Sequence, residues 1–252
     1  MPNTEYRIPN TELPNAGDWK LATDILPPRM TDIWPAAEHA ADMVEPDMVV
    51  GLGTGRAASR FVRALARRVH DGLAIRGIPT SLKTAELAKE LSVPLTTLAE
   101  VESIDIDVDG ADEVDPTLNL IKGHGGALLR ERVVASVSKR FVVLIGTEKL
   151  VTHLGAKMAV PVEVVPFAVP VARGELRGLG ADVVLRTTSD GPFESDNGNQ
   201  ILDARFDTIA DARGLERRID ELPGVVDSGL FIGMADLVLV HDGDSFSTME
   251  RS

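Results

Sequence analysis

A short apolar run, Met48-Val49-Val50, feeds directly into Gly51-Leu52-Gly53-Thr54-Gly55, and an amphipathic stretch follows at once. In that stretch Ala58, Phe61, Val62, Leu65 and Val69 recur at helical spacing, with Arg60, Arg63, Arg67 and Arg68 mostly on the other side. A buried strand, a glycine turn and a helix open a parallel α/β sheet, because parallel partners need a crossover that a helix supplies. The rhythm then repeats. Residues 75–78 read as a strand, Pro79-Thr80-Ser81 as a turn and 84–91 as a helix. Ile104, Ile106 and Val108 alternate with aspartates, which predicts a strand ending at an acidic turn. Residues 127–137 read as a helix, and 141–145 as an apolar strand running into Gly146-Thr147-Glu148-Lys149. Upstream, 32–43 has alanine-rich helical spacing, with Thr31 or Asp32 as its cap.

Around Pro161 the pattern changes. Strands are expected over 162–165, 183–186 and 200–203, helices over 171–179 and 215–222, and a tight turn at Asp196-Asn197-Gly198-Asn199. A strand over 237–240 returns to the first sheet. The expected division is an extension over 1–29, a Rossmann-like parallel α/β domain over 30–157 and 230–252, and an inserted, smaller α+β domain of ferredoxin-like kind over 158–229. Met30 is the expected domain start.

The balance of charges narrows the partners. A formal charge of −13 argues against broad nucleic-acid binding, so an anionic ligand needs a local cluster of lysine and arginine. The absence of cysteine excludes disulfides, thiol nucleophiles and cysteine-held metals, and is compatible with the cytoplasm. No apolar run reaches membrane-spanning length, and residues 1–30 lack a secretory core.

Three motifs carry chemistry. The 51–55 loop is open to a dinucleotide site, a ligand-free turn or a phosphate cradle. The dinucleotide pattern fails at its sixth position, Arg56, and the cradle is the favoured reading. There Gly53, Thr54, Gly55, Arg56 and Ala57 present backbone N–H groups, a hydroxyl and a charge. Asp105-x-Asp107-x-Asp109-Gly110 imitates a calcium loop, but Pro116 stands where that loop needs glutamate, so no metal is expected. Lys122-Gly123-His124-Gly125-Gly126 opens a helix, and Lys122 with nearby N–H groups suits an oxyanion. Glu131 lies nine residues on, an expected two turns into that helix. His124 reads as a replacement for glycine, since no second histidine stands at metal-ligand spacing.

Taken in order, GLGTG, PTSLKT, DGADEVD, KGHGGALLRER, GTEKLV, PVEVVP, SDNGNQILD and LPGVVDSGLF resemble type A ribose-5-phosphate isomerase over residues 30–240. The resemblance implies a metal-free and cofactor-free exchange of ribose 5-phosphate with ribulose 5-phosphate, in a cytoplasmic homodimer or homotetramer. By motif position Glu131 is implied as the general base and Lys122 as its electrostatic partner. Asp109 and Asp112, with Gly110 and Ala111 between them, are implied to bind sugar hydroxyls and assist ring opening. Lys149 is a further substrate-binding lysine. Ser81, Thr84, Gly123, His124 and Gly125 fall at the ligand end. Three departures touch that end: Gly55-Arg56-Ala57 for the family's G-S-T, His124 within its glycine run, and Ile33-Trp34 where it often carries lysine. The alternatives are an isomerase of a related sugar, selected through Arg56, and a sugar-phosphate sensor without catalysis.

Overall fold

The computed structural model describes residues 34–251. The expected extension over 1–29, the start at Met30, the cap at Thr31 or Asp32 and the Ile33 position lie outside the described residues. The chain runs α1 (Pro35–Asp42), β1 (Val49–Leu52), α2 (Arg56–His70), β2 (Arg76–Pro79), α3 (Leu82–Glu90) and β3 (Ile106–Gly110). It continues through β4 (Glu113–Val114), β5 (Leu120–Ile121), α4 (Leu128–Ser136), β6 (Phe141–Gly146), β7 (Val160–Val164) and α5 (Val169–Gly178). Next come β8 (Asp182–Leu185), β9 (Thr187–Thr188), β10 (Gly191–Pro192), β11 (Gln200–Arg205), α6 (Ala212–Asp220) and β12 (Val225–Ser228). The chain closes with β13 (Leu230–Phe231), β14 (Leu237–Asp242) and β15 (Ser245–Glu250). No described helix is long and apolar enough to cross a membrane.

The main sheet has the order β15-β14-β6-β3-β1-β2. All its pairs are parallel except β14 with β15, an antiparallel edge. This is the doubly wound Rossmann-like architecture in its 2-1-3 form. Its chain order reverses between β1 and β3, which is where such sheets open a ligand crevice beyond the carboxyl ends of the strands. The 51–55 glycine loop and the 109–113 acidic turn therefore meet at one place. Helix α2 covers one face with Phe61, Val62 and Leu65, packing on Val50, Leu52, Ile106 and Val108.

Strands β7, β11, β8 and β12 form a second, fully antiparallel sheet in the order β12-β7-β11-β8. With α5 and α6 it follows the βαββαβ ferredoxin-like pattern. Its core of Val160, Val162, Leu176, Leu202 and Ile219 is continuous with Ile121 and Leu230. A third sheet, β13-β5-β4, was not anticipated. Each of its strands is two residues long, too short for a period to register. It nevertheless fixes Lys122, whose N–H donates to the Gly229 carbonyl oxygen at 2.9 Å.

Candidate active site

Strand β3 alternates as expected, but neither face meets water. Ile106 and Val108 join the core under α2, whereas Asp107 and Asp109 point to the other face and are fully buried. Space for them comes from the neighbouring strand. A Cβ on Gly51 would stand 2.4 Å from Asp107 Oδ1, and one on Gly53 2.3 Å from Asp109 Oδ1. Gly53 is thus fixed by the carboxylate beside it, and it does not line the ligand cavity as the sequence suggested. Gly55 differs: at φ 102° it needs the freedom of glycine to start α2.

Glu131 enters from α4. The sequence places it two turns in, but it lies in the first turn, because Gly123 (φ 100°) and Gly126 (φ 85°) delay the helix start to Leu128. Phe193 packs where a Gly126 side chain would stand. Arg186, paired with Asp203, donates to the carbonyl oxygens of Gly123 and His124 at 2.9 and 3.1 Å. The ferredoxin-like sheet therefore clamps this loop from outside.

These elements bring five ionisable groups together, Asp107, Asp109, Asp112, Lys122 and Glu131. Lys122 Nζ is 3.0 Å from Asp109 Oδ2 and 3.3 Å from Glu131 Oε2, and it also donates to the Gly110 carbonyl oxygen. Lys122 is 2% exposed and Glu131 3%, so water screens this pair little. Burial pushes the Glu131 carboxyl up to about 8 against the pull of Lys122, with Asp109 and Asp112 adding to the rise. Burial also raises Asp109. For Lys122 burial works downward, but Asp109, Glu131 and Asp112 outweigh it and hold the ammonium above its ordinary value. Asp107 is the member whose role the sequence did not signal. Burial and then Asp109 raise it well above the carboxylate range, and its oxygens have no hydrogen-bond partner among the described residues.

The cluster forms the floor of a cavity of about 290 Å³. Of the residues named from the sequence, Thr54, Gly55, Arg56, Ala57, Gly110, Ala111, Asp112, Lys122, Gly123, Gly125, Glu131 and Lys149 line it. Trp34, Arg60 and Glu148 line it as well and were not anticipated as ligand residues.

Five expected residues do not line it. Gly53 is accounted for above. Asp109 is enclosed behind Lys122 and accepts from the N–H groups of Thr54 and Gly110 at 2.9 and 2.7 Å. Ser81 and Thr84 are buried beneath Thr54. The Ser81 hydroxyl caps α3 through the Thr84 N–H, and Thr84 Oγ1 donates to the Gly53 carbonyl oxygen. With Thr80 they hold Thr54 Oγ1 in a hydroxyl cluster. The His124 ring turns away to the Ala159 carbonyl oxygen at 3.2 Å, while its N–H donates to Asp112 Oδ2 at 3.0 Å. Its backbone orients Asp112; its side chain faces another part of the molecule.

A doubly wound α/β fold with a buried acid–ammonium pair under a partly cationic cavity defines an enzyme built for proton transfer on a small anion. Comparison with known proteins gives the family. A family profile described as ribose 5-phosphate isomerase A (phosphoriboisomerase A) matches residues 76–245. A protein of Roseiflexus castenholzii named ribose-5-phosphate isomerase A is 50% identical over 218 residues, covering 85% of this chain and 93% of that protein. Its namesake in Thermomicrobium roseum is 49% identical over 219 residues, covering 86% and 92%. The solved ribose 5-phosphate isomerase A of Methanocaldococcus jannaschii superposes with a TM-score of 0.82 at 42% identity, over 85% of this chain and 96% of that one. A D-ribose-5-phosphate isomerase solved in complex with phospho-erythronic acid gives 0.84 at 41% identity, over 86% and 96%. The chain belongs to the ribose 5-phosphate isomerase A family.

Proposed function

We propose that the chain interconverts ribose 5-phosphate and ribulose 5-phosphate by proton transfer through an enediolate. One observation carries the reading: a carboxyl and an ammonium, both buried, stand 3.3 Å apart at the floor of a cavity with cations on its lining. A C–H beside a carbonyl is a weak acid. Its removal builds charge on the carbonyl oxygen, and a fixed ammonium in a water-poor site stabilises that charge as it forms. Glu131 is assigned the base that takes the C2 proton of the open-chain aldose. The C–H electrons form the C1–C2 double bond and O1 takes the charge opposite Lys122. As the proton of the C2 hydroxyl moves to O1, Glu131 returns its own proton to C1, and C2 becomes the ketone.

Asp112, on the cavity wall with its carboxylate oriented by the His124 N–H, is assigned the sugar hydroxyls. Asp109 is assigned a positioning role, since it touches Lys122 and the Thr54 loop from behind. Lys149 and residues 54–57 are assigned to the substrate. Residues 158–229 are read as an inserted domain that braces the site through Arg186. A homodimer or homotetramer in the cytoplasm completes the proposal. Its size is read by light scattering on the intact chain, and Phe167, 96% exposed, offers an apolar contact.

Glu131→Gln tests the central assignment. Turnover should fall by about 10²- to 10⁴-fold with the urea midpoint retained; near-normal turnover removes Glu131 as base. Proton–deuterium exchange at C2 in heavy water separates the isomerase from a binding-only protein, which would exchange nothing.

A further inference from the structure

The cavity has two chemically different ends. The floor is spent on the proton-transfer cluster, and Lys122 there is already engaged by Asp109 and Glu131. The rim carries Arg56, Arg60 and Lys149 against a single carboxylate, Glu148. Among the described residues none of these three cations has a carboxylate within ion-pair distance, although other arginines of the chain do.

Arg60 is the most preorganised of the three. Its guanidinium carbon lies 4.4 Å from the centroid of the Trp34 ring. That ring stacks in turn on His241, with centroids 4.3 Å apart and planes 19° from parallel. Burial and the charge of Arg60 depress the His241 pKa, so the stack adds no second cation beneath the first. A guanidinium laid on an aromatic face keeps its edge available for in-plane acceptors. The edge of Arg60 is poorly satisfied. Its Nε–H is buried without an acceptor among the described residues, so the terminal nitrogens are what a ligand meets, and there Nη1 reaches only the Arg56 carbonyl oxygen at a long 3.4 Å. The planar fork of arginine matches phosphate oxygens in paired hydrogen bonds, and a dianion beside it would satisfy what the protein leaves open. The first turn of α2 has no side-chain cap and opens on the same cavity, so its backbone N–H groups add to the attraction.

We propose that Arg60, laid on the Trp34–His241 stack, is the group that selects a phosphorylated sugar over its unphosphorylated counterpart. The proposal rests on the isomerase reading for its substrate, and its test is separable from that reading.

Inorganic phosphate is the probe. In Arg60→Ala the inhibition constant of phosphate and the KM for ribose 5-phosphate should both rise, by about 10- to 100-fold for one lost charge-assisted pair, while kcat changes far less. Arg60→Lys should recover part of that loss, and Trp34→Leu should give a smaller version of it. A phosphate inhibition constant unchanged in Arg60→Ala overturns the proposal, even if kcat falls, because a merely structural role would lower turnover without touching the anion. If the unaltered chain does not turn over ribose 5-phosphate, the isomerase reading fails but Arg60 can still be tested. The chain has two tryptophans, so Trp19→Phe leaves Trp34 as the fluorescent reporter. A phosphate response that disappears with Arg60→Ala supports the proposal; no response, or an equal one, overturns it.

Discussion

Two ion-pair clusters share the ring of Phe231, one buried and one partly exposed. Lys122 Nζ lies 5.5 Å from the ring centroid, and the Arg132 guanidinium lies 4.4 Å from it. Lys122 faces four acids, Asp107, Asp109, Asp112 and Glu131, and Arg132 faces three, Glu216, Asp220 and Asp227. Burial raises Asp107, Asp109 and Glu131 in the first and all three in the second. The difference is one of saturation and access. Arg132 pairs with Asp227 at 2.6 Å and Glu216 at 3.2 Å, and donates to the Ser228 and Leu230 carbonyl oxygens at 2.8 and 2.6 Å. It does not line the active-site cavity. Lys122 and Glu131 do, so this ammonium can meet a ligand. Similar charges thus build a strut in one place and, on the function proposed above, a reaction centre in the other. What separates them is whether the cation opens on the cavity, not how much of it meets water, so a perturbed carboxyl is by itself weak evidence for catalysis.

The sharpest way to break this comparison is to remove the cations. Lys122→Met should cut turnover by about 10²- to 10³-fold, as expected for losing the group aimed at the developing charge; a variant that keeps its turnover would dissolve the distinction. Arg132→Met should act on the fold instead. Of its acids only Asp227 is buried, so losing the guanidinium should cost about 1–3 kcal/mol, read as a lower urea midpoint, with kcat per folded molecule falling far less than in Lys122→Met.

The pH dependences should also differ. Glu131 must be ionised to accept a proton and is raised to about 8, so kcat/KM should climb with pH toward that value. No fall from Lys122 is expected above it, because that ammonium is held charged. Asp227 affects stability. Its pKa is raised from 3.8 to about 7, so the folded chain keeps a proton that the unfolded chain has released. Its contribution to stability is therefore lost as pH rises between those values. Asp227→Asn should flatten that part of the stability–pH curve and leave the kcat/KM profile in place. The smallest effect belongs to Ser81→Ala. Losing the α3 cap should cost about 1 kcal/mol with little kinetic change; a large KM effect would return Ser81 to the ligand.

Five strands of the main sheet were legible because they alternate with helices long enough for their periods to show, as in β1 with α2 and in β6; its antiparallel edge strand β15, a mostly polar SFSTME, was not anticipated. Three strands and both helices of the ferredoxin-like unit were legible for the same reason, but its fourth strand, β12, was not anticipated. The three-stranded β13-β5-β4 sheet was not, since two-residue strands have no period and β13 lies far along the chain from β5. Glu131, Lys122 and Asp112 stood in motifs distinctive enough to name. Asp109 was named too, but nothing local said that it faces inward behind Lys122 instead of toward a ligand. Arg60 read as one of several arginines on the outer side of a helix, and only the approach of Trp34 and His241 from other elements sets it apart. Likewise, no local signal told that Ser81 and Thr84 would turn under the loop.

The spacing of Gly51 and Gly53 has a meaning beyond this chain. Two residues is the repeat of a β-strand, and these positions are bare because acids on the adjacent strand fill the volume their side chains would take. Part of what resembles a nucleotide fingerprint is the hollow mould of two carboxyl groups elsewhere in the sequence. In other doubly wound proteins, a G-x-G pair closing the first strand is reason to look sideways for its acidic counterpart before looking outward for a nucleotide.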